Sequence, residues 1–358
     1  MSELPRMVRM RLFLPLLFIA PLAAETVVVK NPSELSAAIG KLKDGDTLKI
    51  GPGEYPGGNS VGGVANLTVE ALDPKSPPLF KGGSNAWQFS RCQGLKLRYL
   101  HCRGQTGNGF NIDDGGKREE PVKGVVIEDL RVEDIGPQGN FDGIKCSGLQ
   151  DLRIERCEIS GWGGQAIDFV GCSESVITGC RISGKEGFSQ HTGPQFKGGC
   201  SKVIIEMCTF KDAGERPIQV GGSTGLDYFR PPGAKYEAKD IIVRGNTIEG
   251  GMCACAFTGV DGAEFSNNTI LRPEKWIFRV LQETRVEGFA PCRNVKVMNN
   301  KITFRREQVG TELNISEGTA PETFVFEGNR WLAEDRPQAS KPKLPVEEKG
   351  GVYGEAVK

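Results

Sequence analysis

The chain has 358 residues, and its 45 basic and 45 acidic residues leave a formal net charge of zero. That length supports one or two domains, and the charge balance argues against broad electrostatic binding of nucleic acid or membrane surfaces. Glycine is the outlier at 48 residues without a collagen period, so the chain must turn often.

The N-terminal stretch MSELPRMVRMR carries Arg6, Arg9 and Arg11, and LFLPLLFIAPLAA follows it. A basic start, a short apolar run and small residues form the pattern of a secretory signal. Residues 1–24 are read as that signal, with cleavage after Ala24. The run is short for a bilayer span, and no other segment is apolar enough to be one. A secreted or periplasmic protein is expected, without membrane association after cleavage. Next comes NPSELSAAIGKLKDGDTLKI. Ser33 is the expected N-cap of a helix whose Leu35, Ala38, Ile39 and Leu42 form an apolar stripe.

From residue 94 the sequence repeats. The segments GLKLRYLHCRG, GVVIEDLRVED, DLRIERCEISG, SVITGCRISG, KVIIEMCTFKD, DIIVRGNTIEG, GAEFSNNTILR, NVKVMNNKITF and TFVFEGNRWLA share one plan. Each has an alternating apolar strand, a polar kink and a second short strand. One position after the kink recurs as Leu100, Leu130, Cys157, Cys180, Cys208, Asn246, Asn268, Asn300 and Asn329. Most spacings lie between 22 and 32 residues, and the step of 38 from Cys208 to Asn246 marks an inserted loop. Short strands at this period, with no helical pattern, predict an all-β parallel solenoid over residues 25–332. Its coils stack at about 4.8 Å, so equivalent side chains form ladders. Cys92, Cys146, Cys172, Cys200 and Cys292 form a second column. The eleven cysteines are read as small buried hydrophobes and mostly free thiols, with a disulfide between stacked neighbours left open.

Each coil carries a further strand, in which Phe110/Ile112, Ile144/Cys146, Ile167/Phe169, Ile218/Val220, Cys255/Phe257, Phe278/Val280 and Leu313/Ile315 are the inward pairs. The residue between each pair points out. The outward column is read as Asn111, Lys145, Asp168, Lys197, Gln219, Ala256, Arg279 and Asn314. A strict count back from Cys200 would turn Lys197 inward. Burying an unpaired lysine is very costly, so a one-residue shift at Gly198–Gly199 is expected. Arg216, before Pro217, falls at the rim of this face. The long loops GKEGFSQHTG and GGSTGLDYFRPPGAKYEAK bring His191, Asp227, Tyr228 and Arg230 beside it. Beyond Trp331 the chain is rich in Pro, Lys and Glu, and residues 333–358 are expected to be a disordered tail.

The stretch AAIGKLKDGDTLKIGPGEY, followed by Asn and Cys ladders, resembles the right-handed parallel β-helix superfamily of pectate lyase-like proteins. That resemblance implies a single right-handed parallel β-helix with an N-terminal capping helix. Activity is not implied, because the fold carries lyases, hydrolases, epimerases and inert adhesins. FKGGCSKVIIEMCTF further resembles the lysine-bearing strand of polysaccharide lyase family 6, the chondroitinase B and alginate lyase group. The resemblance makes Lys197 the candidate base. It also places the assisting arginine of that group at Gln219, with Arg216 three residues early. Ca²⁺ is the cofactor it suggests, yet the acidic ligands of the group are not evident in SQHTGPQ, and no metal ligand is assigned.

A cationic groove with few aromatics suits an acidic polysaccharide. β-Elimination of a uronide needs the carboxylate neutralised, a base for the C5 proton and an acid for the leaving oxygen. Lys197, Arg216, His191 and Tyr228 are the candidate catalytic residues. Lys145, Asp168, Gln219, Arg230, Arg279 and Asn111 are the candidate substrate-binding ones. Two other readings remain: a hydrolase built on Asp142 and Asp168 with Asp113 and Asp114 nearby, and a secreted carbohydrate-binding or surface-structural solenoid without activity. A monomer is the expected state.

Overall fold

The computed structural model describes residues 24–355. Three parallel sheets of 14, 12 and 10 strands wind around one core. A coil visits them in turn, as in Lys96–Arg98, His101–Arg103 and Phe110–Asp113. Every strand pair is parallel and joins neighbouring coils, so this is the expected β-helix. The apolar leader expected over residues 1–24 lies, apart from Ala24, outside the described residues. Among the described residues no helix is long and apolar enough to cross a membrane.

The kink before each ladder position has a backbone cause. The preceding residue is left-handed in every coil: Tyr99, Asp129, Arg156, Gly179, Met207, Gly245, Asn267, Asn299 and Gly328 have φ between 51° and 65°. Most are not glycine, so each bend carries a conformational cost. The ladder side chains offset it by satisfying the bend. Asn268 Oδ1 accepts from the backbone N–H and side-chain amide of Asn246, both at 3.0 Å. Asn300 does the same for Asn268, and Asn329 for Asn300. Each Asn amide also donates to a strand carbonyl of an earlier coil, such as Asn246 to Ile205. In the earlier coils Leu and Cys take this place, and all nine positions are buried. All eleven cysteines are buried free thiols.

Both ends are closed. The helix spans Pro32–Ile39, and its N-cap is Asn31, whose side chain accepts from Glu34 N. Ser33, the expected cap, falls inside the first turn because Pro32 already supplies a helical φ. Leu35 is buried, with Ala38, Ile39 and Leu42 packed against the core. At the other end, residues 333–355 are ordered, which corrects the expected disordered tail. Val352–Tyr353 adds a strand beside Arg330–Ala333, and Ser340 is fully buried. Glu348 carries the cap. It accepts from the Asn329 amide at 2.8 Å, Trp331 Nε1 at 3.0 Å and the Tyr353 hydroxyl at 2.9 Å. Composition concealed this, because a cap needs a few well-placed hydrogen bonds, not a large apolar content.

Candidate functional site

The ten-stranded sheet presents the outward column. Its register runs Gln88, Asn111, Lys145, Asp168, Gln195, Gln219, Ala256, Arg279, Asn314. The sequence reading differs at one place: Gln195, not Lys197, occupies the column. Phe196 is inward and packs edge-to-face on Phe169, with ring centroids 5.6 Å apart. Lys197 is outward, two residues beyond Gln195, and pairs in register with Val170. The slip arises at the next turn. Phe169 reaches Cys172 through Val170 and Gly171, whereas Phe196 reaches Cys200 through Lys197 and two left-handed glycines, Gly198 at φ 63° and Gly199 at φ 92°.

Four charges meet on this face. Lys145 Nζ donates to Asp142 Oδ2 at 2.7 Å and to Asp168 Oδ2 at 2.8 Å. Lys197 Nζ lies 3.0 Å from Asp168 Oδ1, without the alignment of a hydrogen bond. Both carboxylates have no exposed surface, while Lys145 and Lys197 are 24% and 15% exposed. The face therefore shows ammonium groups to solvent and hides the acids beneath. Burial and the neighbouring Asp168 charge push Asp142 up to about 6, against the pull of Lys145. Burial would also raise Asp168, but Lys197 and Lys145 hold it below the ordinary aspartate value. Burial would lower Lys145, and its two carboxylates reverse that and hold it above the usual lysine range.

Along this sheet Gln165 Oε1, Gln219 Oε1 and Thr258 Oγ1 are buried without a hydrogen-bond partner, as is Arg216 Nε beside it. The turn after Lys197 is clamped by Glu237, which is fully buried. It accepts from Gly198 N, Thr224 N, Thr224 Oγ1 and Thr284 Oγ1, tying two flanking loops to the strand that bears Lys197. Burial raises its pKa against the pull of these donors. The sequence held no signal for it, because YEAKD reads as ordinary loop chemistry.

The remaining predicted residues do not form one compact set. Arg216 pairs in register with Thr192, at the opposite end of its neighbour strand from Lys197. Its nearest carboxylate is Glu215 at 3.8 Å. His191 is exposed just before that strand, on the same flank as Arg216. Tyr228 is 66% exposed on the Lys197 flank. Arg230, read as substrate-binding, is instead committed to Asp114 through both Nε and Nη2, and its Nη1 donates to Tyr228 O. Asn111 donates to Gln88 Oε1. Arg279 lies over the Trp276 ring at 5.0 Å and donates to Asn314. Arg279 and Arg216 flank Cys253. Burial pushes that thiol up to about 12, and the two guanidiniums oppose the rise.

The donor set does not fit Ca²⁺. Such a site needs several oxygens converging on one point, and here the point between Asp142 and Asp168 holds an ammonium. Among the described residues no group of three or more His, Cys, Asp or Glu could hold a metal ion. The split between Asp142 and Asp168 resembles an acid–base division. With neither carboxylate exposed, however, neither reaches a glycosidic bond.

A coil of three parallel sheets with Asn and Cys ladders inside defines a β-helix protein. The chain matches the profile of the right handed beta helix region over residues 83–270, and it belongs to that family. No curated protein matches the chain. Among solved structures it is similar to an alginate lyase from Paenibacillus sp., with 19% identity, 83% of this chain and 99% of that one covered, and a TM-score of 0.55. It is also similar to an endo-xylogalacturonan hydrolase from Aspergillus tubingensis, at 13% identity, 91% and 100% coverage and a TM-score of 0.57. A third is PfbA, a surface adhesin of Streptococcus pneumoniae, at 12% identity, 80% and 73% coverage and a TM-score of 0.51. At these identities the likeness is one of fold.

Proposed function

We propose that the chain is a secreted, polysaccharide-active enzyme that cleaves a uronate-rich polymer by β-elimination. One observation carries this reading: two ammonium groups, Lys145 and Lys197, stand on the outward face of the ten-stranded sheet over fully buried carboxylates. The arrangement suits an anionic sugar and leaves the acids that a hydrolase needs out of reach. The lysines divide the work. Lys145 is held by two carboxylates and stays charged, so it neutralises the uronate carboxylate and acidifies the C5 proton. Lys197, which shares Asp168, is the candidate to take that proton. The C5–H bond breaks, a C4–C5 double bond forms, and the C4–O bond breaks with its electron pair on the leaving oxygen. Tyr228, on the flank of Lys197, is the candidate to protonate that oxygen, whereas Arg216 and His191 stand at the other end of the strand. Among the structural neighbours, the alginate lyase acts on a polymer of the type proposed.

A panel of uronic-acid polymers tests the reading. The expected result is ultraviolet absorbance from an unsaturated uronide, lost in Lys197→Ala while its circular dichroism spectrum is unchanged. New reducing ends without that absorbance would point to hydrolysis. Saturable binding of a polymer without cleavage would point to the adhesin-like reading.

A further inference from the structure

We propose that Glu237 is the positioning residue for Lys197: its carboxylate stands in for a backbone acceptor that the inserted loop removes, and it fixes the turn that sets the lysine beside Asp168. In the two preceding coils the glycine after the strand donates to the backbone of the next coil. Gly148 N donates to Val170 O and Gly171 N to Lys197 O, both at 2.9 Å. The series breaks at Gly198. The next strand of this sheet ends at Gly221, and the inserted loop carries the chain away until Ala238 pairs with Cys200. Gly198 N donates instead to Glu237 Oε2 at 2.8 Å. Gly199 N and Cys200 N both donate to Glu237 O, at 3.0 and 3.2 Å. All three N–H groups that follow Lys197 therefore end on one residue.

The turn needs that support. Gly198 and Gly199 are both left-handed, at φ 63° and 92°, and a buried N–H without an acceptor is unfavourable. The carboxylate is otherwise fully committed. Oε1 accepts from Thr224 N at 2.8 Å and Thr284 Oγ1 at 3.1 Å, and Oε2 also accepts from Thr224 Oγ1 at 2.8 Å. Its four side-chain partners are neutral donors, and it is fully buried. A charge buried without a cation is unfavourable, so the position calls for an acceptor rather than for bulk. Lys197 immediately precedes this turn, and its Nζ lies 3.0 Å from Asp168 Oδ1. The consequence for catalysis rests on the reading of Lys197 as base; the consequence for the Lys197–Asp168 contact does not.

Thermal melts of the full-length protein with Lys197→Ala, Asp168→Asn and both substitutions measure the coupling of those two residues. The cycle is run in the wild-type background and in Glu237→Gln, which keeps the side-chain size but replaces one acceptor oxygen with an NH₂ group. Coupling is expected in the wild-type background and lost in Glu237→Gln. In Thr284→Val, which takes a donor from Oε1 and spares the bond to Gly198, it is expected to persist. On a uronate polymer that the wild type cleaves, Glu237→Gln is expected to lower kcat by about a hundredfold, the scale on which misplacing a reacting group acts. Coupling absent from the wild-type background, or unchanged in Glu237→Gln, would overturn the proposal, as would its loss in Thr284→Val. If Glu237→Gln does not fold, Glu237→Asp, which draws the carboxylate back from Gly198, replaces it with the same expected outcomes. Failure of both to fold would assign Glu237 to the fold as a whole and overturn the proposal. A wild type that cleaves no uronate polymer would overturn the reading of Lys197 as base and leave the coupling test in force.

Discussion

Replacing Asp168 with asparagine keeps the side-chain size and removes the charge that Lys145 and Lys197 share. Lys145 retains Asp142, but among the described residues Lys197 has no other ion pair. Removing one partner from a buried pair costs about 3–5 kcal/mol. Relief of burying the carboxylate and the surviving Lys145–Asp142 contact put this case near about 3 kcal/mol. At about 2 °C per kcal/mol for a large domain, Tm at neutral pH falls by about 6 °C. The pH dependence gives a second reading. Asp168 is held below its ordinary value, so its contribution is present above the unfolded pKa of about 3.9 and is lost as pH falls through the folded value. The gap between Asp168→Asn and wild type should therefore close in acid. Calorimetric melts of wild type, Asp168→Asn, Lys197→Ala and the double variant measure both effects, and the cycle should show coupling of about 1 kcal/mol or more. An Asp168→Asn protein as stable as wild type at neutral pH, or strictly additive variants, would refute the claim that this carboxylate holds the lysines in place.

Asp142 has the opposite sign. Its folded pKa is raised to about 6, so the folded state loses stability relative to the unfolded chain as pH rises from the unfolded value of about 3.9 through the folded one. Asp142→Asn should flatten that slope in a series of denaturant titrations, and an unchanged slope would reassign it. The eleven buried thiols should react with a thiol reagent only after denaturation, all eleven then titrating; fewer would reveal disulfides. Glu348→Ala leaves the amide of Asn329, Trp331 Nε1 and the Tyr353 hydroxyl short of an acceptor. It should cost about 2–3 kcal/mol, with hydrogen exchange rising first at residues 329–353.

The fold was legible because its cause is local and repeated. A left-handed residue, a ladder residue and alternating strands recur in every coil, and each repeat reports the same geometry independently. The face of the site was legible for the same reason, since alternation alone turns Lys145, Asp168 and Arg279 outward. Position along the face was harder to read. One extra glycine after Lys197 moved it out of the column and left Gln195 in its place, because periodicity counts residues and a turn can absorb one unseen. Arg230 misled for a different reason. An arginine in a long loop carries no mark of its partner, and Asp114 lies 116 residues earlier. Glu237 and Glu348 were invisible because their importance lies in which donors converge on them.

The Arg230–Asp114 contact has a consequence for how the coil comes apart. In a stacked array each turn touches only its neighbours, and unravelling can start at either end and advance one turn at a time. Asp114 follows the strand Phe110–Asp113, and Arg230 lies in the loop after Gln219–Gly221. Their bond spans the three intervening turns, Ile144–Ser147, Gln165–Val170 and Thr192–Lys197, which carry Lys145, Asp168 and Lys197. Fraying from the N-terminal end meets this staple before it reaches them, so opening these turns one by one carries the added cost of breaking it.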